Sequence, residues 1–150
     1  MKNLITTFVL LITISATLTA QDMTATEATA DLGVTALTVQ LTGLKSDKGQ
    51  LMVALYDSSD NWLGNGIMGE ITTIVDGQAT VTFNDVPYGT YAISSFHDKD
   101  SNGELNTGLF GIPKEPYASS RGARGRFGPP KWADAKFVLE NESAEEIIKF

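Results

Sequence analysis

The chain contains no cysteine. Disulfides are excluded as a source of stability, and so is a lipid anchor attached to a cysteine. Histidine occurs once, at His97. One imidazole cannot build the two- or three-histidine sites of catalytic zinc or copper. Cationic residues are scarce as well: 11 Lys and Arg stand against 18 Asp and Glu, a formal charge of −7. A phosphate backbone needs a basic face, so non-specific nucleic-acid binding is excluded. A Ser-His-Asp order, an HExxH helix and a phosphate-binding glycine loop are all missing, and no stretch holds a convincing helical period apart from a short turn near Pro130 to Ala135.

What is present begins with MKNLITTFVLLITISATLTA. Lys2 supplies a positive start, Leu4 to Leu18 is an apolar run broken by hydroxyl residues, and Ala20 suits a cleavage point. This pattern predicts a secretory signal peptide over residues 1–20. The expected product is secreted, periplasmic or extracellular, with no transmembrane anchor in the mature chain. A Thr/Ala-rich leader follows over residues 21–33, and residues 34–150 form one expected domain. About 115 residues can bury roughly two-thirds of their unfolded surface, enough for a single core.

The domain reads as strands. Leu37, Val39 and Leu41 alternate with Thr38, Gln40 and Thr42, and Leu51, Val53 and Leu55 repeat the pattern. A further strand is expected around Ile67 to Val75. Asp76-Gly77 is a hairpin signal, because both central residues of a type I′ turn need positive φ. Ala79, Val81 and Phe83 pair back, Pro87-Tyr88-Gly89 turns the chain, and Thr90 to Phe96 forms another strand. Ala135, Phe137 and Leu139 resume the alternation, and Ile148 with Phe150 closes the sheet. About seven short strands predict an all-β antiparallel sandwich of immunoglobulin-like or transthyretin-like type.

One connection breaks this rhythm. His97 to Asp134 carries little strand character, and loops beyond about 12–15 residues are uncommon in compact domains unless they are functional or disordered. Leu109, Phe110, Ile112, Tyr117, Phe127 and Trp132 predict an ordered excursion anchored by apolar side chains. The excursion opens with Asp98-Lys99-Asp100-Ser101-Asn102-Gly103, the D-x-D-x-N-G start of a calcium loop. Oxygens at alternate positions converge on one hard cation, and the glycine makes the bend. Asp98, Asp100 and Asn102 are the expected ligands, and Glu104 adds its backbone carbonyl. Position twelve is Leu109 instead of a bidentate Glu, and flanking helices are missing, so this is not an EF-hand. Glu115 or Asp57 is the candidate for the missing carboxylate. The competing reading is an Asx-rich turn without an ion.

Beside this loop, the run Arg121-Gly122-Ala123-Arg124-Gly125-Arg126-Phe127 concentrates positive charge. Arg forks suit a phosphate, an acidic sugar or a lipid head group. Pairing of the same arginines with the acidic loop, or simple solvation, are the alternatives. Trp62 sits in a polar loop and is the aromatic expected to be most exposed.

The run VTFNDVPYGTYAISSFHDKDSNGELNTGLFGIPKEPYASS and the later GPPKWADAKFVL resemble the secreted bacterial proteins grouped as domain of unknown function 2141. The shared pieces are P-x-G-T-Y-A, H-D-x-D-x-N-G, G-I-P-x-E-P-Y and the G-P-P-x-W return, in order between Leu37 and Leu139. The resemblance implies a sandwich fold and no established chemistry.

These readings combine into a secreted β-sandwich whose long loop is organised by a divalent cation, calcium by ligand type, and which binds a small molecule or glycan. His97, Glu115, Arg126 and Trp132 are the expected ligand-binding residues. Two rivals stand beside it: a hydrolase using His97 with Glu115, and a structural or protein-interaction module of the cell envelope.

Overall fold

The computed structural model describes residues 33–140 and 143–150. The expected signal peptide and all of the leader but Gly33 lie outside the described residues. The described chain is all-β, with strands β1 (Val34–Thr42), β2 (Gln50–Tyr56), β3 (Met68–Thr72), β4 (Ala79–Pro87), β5 (Gly89–Asp98), β6 (Tyr117–Ser119), β7 (Phe137–Leu139) and β8 (Ser143–Lys149). One sheet has the order β4-β1-β8. The other has the order β3-β2-β5, with β6 and β7 both on the free edge of β5. All pairings are antiparallel except β1 with β8, which run parallel in register from Ala36↔Ser143 to Thr42↔Lys149.

Strict alternation makes β1 and β2 the walls of the core. Leu37, Val39, Leu41, Leu51 and Leu55 have no exposed surface, and Phe83, Ile93, Leu139 and Ile148 join them from the neighbouring strands. Each such side chain stabilises the fold by about 1.5–3 kcal/mol relative to exposure. On β4 the alternation slips between Phe83 and Val86, yet both are buried. Asp85, at φ 55°, lies in the left-handed region there, and the pairing with β1 shifts between Thr35 and Leu37. The extra residue is a bulge that returns Val86 to the core side. The hairpin at Asp76-Gly77 has φ of 52° and 72°, as its sequence predicts.

The edge of β5 explains how the long connection is held. β6 pairs with Ser94 to Phe96 and β7 with Gly89 to Tyr91, leaving a gap between them. The buried Ser120 hydroxyl fills that gap: it accepts from Ile93 N–H at 2.9 Å and donates to the Ala135 carbonyl at 2.7 Å. On the outer face of β5, Ala92 packs against Ala123 and Ala135 of the returning loop, closed over by Trp62 and Trp132. Small residues here let the loop backbone lie close to the sheet. The short helix α1 (Trp132–Ala135) completes this layer.

Of the expected apolar anchors of the loop, Trp132 packs in this layer and Tyr117 lies in β6 on the edge of β5. Leu109, Phe110, Ile112 and Phe127 are 83%, 97%, 64% and 93% exposed, so among the described residues they join no core. Trp62, expected to be exposed, is half-buried. It meets Tyr56 and Trp132 edge-on at ring centroids of 5.0 and 5.9 Å and donates its indole N–H to the Pro130 carbonyl at 2.8 Å. An indole with one apolar edge and one polar tip serves both contacts at once.

Candidate functional site

At its C-terminal end β5 turns polar on its core-facing side. Tyr91 and Ile93 give way to Ser95 and His97, both buried. His97 Nε2 lies 2.7 Å from the Lys48 carbonyl. A carbonyl only accepts, so Nε2 carries the proton in that bond. His97 therefore ties β5 to the β1–β2 turn.

Asp98 ends the strand with no exposed surface. The backbone wraps round its carboxylate because Ser101 and Gly103 both take left-handed conformations, at φ 58° and 81°. Asn102 N–H then reaches Asp98 Oδ1 at 3.1 Å, and Gly103 N–H reaches Oδ2 at 2.8 Å. Gln50, paired with Asp98 across the sheet, donates its side-chain amide to Oδ2 at 2.8 Å. Gly49 sits just before it at φ +86°, and a Cβ there would collide with the Asp98 carbonyl oxygen. Burial alone pushes the Asp98 carboxyl up, but the hydrogen bonds from Gln50, Gly103 and Asn102, with a side-chain interaction with Asp100, prevail and hold it below the usual carboxylate range.

Glu115 is buried opposite and bridges the two ends of the loop. Its Oε1 accepts from Lys99 N–H at 2.8 Å and its Oε2 from Asn106 N–H at 2.9 Å. Asp100 is exposed and takes the Asn106 side-chain amide at 3.0 Å. One carboxylate oxygen from each of Asp98, Asp100 and Glu115 lies within 4.8 Å of the others. Among the described residues the N–H donors to these carboxylates are all neutral amides. A carboxylate offers about four lone-pair sites. After three bonds to Asp98, two to Glu115 and one to Asp100, lone pairs remain on all three. This donor set suits a hard cation such as calcium or magnesium.

The other expected ligands are placed less centrally. Asn102 turns its side-chain oxygen to Glu104 N–H at 2.7 Å, and Glu104 is exposed. Asp57 stays in its own loop, accepting from the Asn61 amide at 2.6 Å.

Next to the acidic loop lies a cleft of about 430 Å³ whose walls include His97, Glu115, Lys45, Lys99, Tyr117 and Arg124. His97 and Glu115 thus share one cleft, with no hydrogen bond between them among the described residues. Arg126 and Trp132 are not on its walls. Arg126 is exposed and lies over the Phe127 ring at 5.2 Å, and Trp132 belongs to the alanine-lined layer on the outer face of β5. Arg124, two residues earlier, is the arginine that reaches the cleft. Sequence reasoning found the basic run but not which member points inward, because the irregular backbone from Ser120 onward has no period to read. Gln50 was missed for a different reason: its contact with Asp98 depends on cross-strand register, and Gly49 before it was the only local sign.

No curated protein and no solved structure matches the chain. Residues 39–147 match the family described as an uncharacterized protein conserved in bacteria, DUF2141. That span takes in both sheets, the acidic loop and the cleft-forming return, and the chain belongs to this bacterial family.

Proposed function

We propose that this protein is a secreted binding module in which a divalent cation, calcium by ligand type, organises the loop from Asp98 to Glu115 and a small molecule or glycan occupies the adjacent cleft. One observation carries the reading. Three carboxylates converge within 4.8 Å, and among the described residues the N–H groups that reach them are neutral amides. Like charges at such separations repel unless an opposite charge intervenes, and a cation at the centre would turn that repulsion into attraction. Oxygen-only ligands and an exposed, adaptable Asp100 favour calcium over the stricter octahedral demands of magnesium.

Binding is preferred to hydrolysis because the candidate acid–base pair is committed elsewhere. Glu115 spends both oxygens on loop amides and His97 holds the Lys48 carbonyl. The exposed tip formed by Leu109, Phe110 and Ile112 supports a second reading, an interaction module of the cell envelope.

The test is calorimetric titration of chelator-stripped protein with calcium and, separately, magnesium, with melting followed in parallel. Saturable binding with a raised melting temperature is expected. A ligand at about a hundred times its Kd stabilises by about 2.7 kcal/mol. Asp100→Asn removes one ligand charge and no buried contact, so it should abolish the heat and leave the sandwich folded. Calcium binding by that variant as tight as wild type refutes the assignment.

A further inference from the structure

We infer that the cleft beside the acidic loop is an anion site, taking a small molecule that carries a phosphate or carboxylate group on a sugar-sized scaffold. The inference rests on the preceding reading only in placing the ligand in this cleft. Three cations reach it from three separate parts of the chain: Lys45 from the β1–β2 turn, Lys99 from the first turn of the acidic loop, and Arg124 from the returning segment. Against them stands one side-chain carboxylate, Glu115, whose two oxygens are both occupied by loop N–H groups. Among the described residues none of the three cations forms an ion pair.

This concentration runs against the composition. The whole chain has 11 Lys and Arg against 18 Asp and Glu, yet the cleft walls carry three cationic side chains and one carboxylate side chain, Glu115, with the final residue Phe150 at the rim and Asp98 and Asp100 behind Glu115. Converging like charges destabilise a fold, and a bound anion removes that cost. Arg124 offers a planar fork for two parallel hydrogen bonds to phosphate or carboxylate, and the lysines add point charge. Tyr117, about one-third exposed, gives the wall an aromatic surface against which a sugar ring can lie. The size of the cleft, about 430 Å³, falls within the range of small-molecule sites, roughly 300–1,000 Å³. That favours a discrete small molecule over an extended polymer.

The test uses one ring with three substituents: glucose, glucose 6-phosphate and glucuronate, titrated into metal-free and calcium-saturated protein by calorimetry. At least one of the two anions should bind saturably and glucose should not. Which anion binds identifies phosphate or carboxylate as the group recognised. Arg124→Gln and Lys99→Gln alter exposed side chains, so folding should survive. Each should weaken anion binding by about tenfold or more, the scale of one charge-assisted hydrogen bond. Lys131→Gln, an exposed cation off the cleft, should change it less than about twofold. The inference fails if neither anion binds, if glucose binds equally well, or if Lys131→Gln weakens binding as much as Arg124→Gln. Anion binding with a silent calcium titration retains the anion site and removes the cation reading. Calcium binding without either anion does the reverse.

Discussion

Adjacent serines at 119 and 120 should respond to alanine substitution in opposite ways. Both are buried. Ser120 Oγ stands in for a missing strand, joining Ile93 N–H to the Ala135 carbonyl at 2.9 and 2.7 Å. Ser120→Ala orphans one donor and one acceptor in a layer lined by Ala92, Ala123 and Ala135, where water has little room. Each buried unsatisfied group costs about 1–3 kcal/mol, so the expected loss is about 2–6 kcal/mol. For a domain of this size about 1 kcal/mol corresponds to roughly 4 °C, so the melting temperature should fall by about 8–24 °C. Ser119 Oγ has no hydrogen-bond partner among the described residues. Ser119→Ala removes a desolvated hydroxyl that gains nothing, and should be neutral or stabilising by up to about 1 kcal/mol. Urea unfolding followed by Trp62 and Trp132 fluorescence measures both, because both indoles close over the layer in question. The slope with denaturant should match wild type, showing that only stability has changed. If Ser120→Ala lies within about 0.5 kcal/mol of wild type, or Ser119→Ala costs as much as its neighbour, then the plugged gap in β5 does not hold the loop.

Two further perturbations address the acidic loop. Gly49→Ala forces a Cβ onto the Asp98 carbonyl at a left-handed position. It should cost at least about 2 kcal/mol and remove calcium binding, and a variant with wild-type stability would show that Gly49 does not position Asp98. The second is pH. The folded Asp98 carboxyl sits below its unfolded value, so the unfolded chain takes up the proton first as pH falls. Its stabilising contribution is complete above the ordinary carboxylate range and is lost as pH drops through that range toward the folded value. The urea midpoint of wild type should decline over that interval, and Asp98→Asn should flatten the decline. An unchanged slope in the variant would assign the pH dependence to other carboxylates.

How much of this was legible depended on whether the contact was local. The β1 and β2 faces followed from period two, the Asp76-Gly77 turn from the need for positive φ, and the acidic loop from alternate oxygens before a glycine. Each of these is a property of a few consecutive residues. Glu115 was also named in advance, and it sits with Asp98 and Asp100. The parallel pairing of β8 was not legible, because a strand pattern carries no direction. Nor was the gap on β5 that makes Ser120 structural, since it arises from two short strands meeting one edge. The apolar tip at Leu109, Phe110 and Ile112 misled for a physical reason. Hydrophobicity measures what burial would gain, not whether the backbone can deliver the side chain to a core. Here Gly108 N–H closes on the Ile112 carbonyl at 2.7 Å, a turn that projects the intervening side chains outward. The small residues Ala123 and Ala135, which carry a weak hydrophobic signal, hold the segment against Ala92 of β5 together with Trp62 and Trp132. The same geometry decides which arginine faces the cleft. With Ser120 and Ala123 fixed against the sheet, Arg124 is the arginine of the run that lines the cleft with Lys45 and Lys99, while Arg126 lies beyond it with Phe127 in solvent.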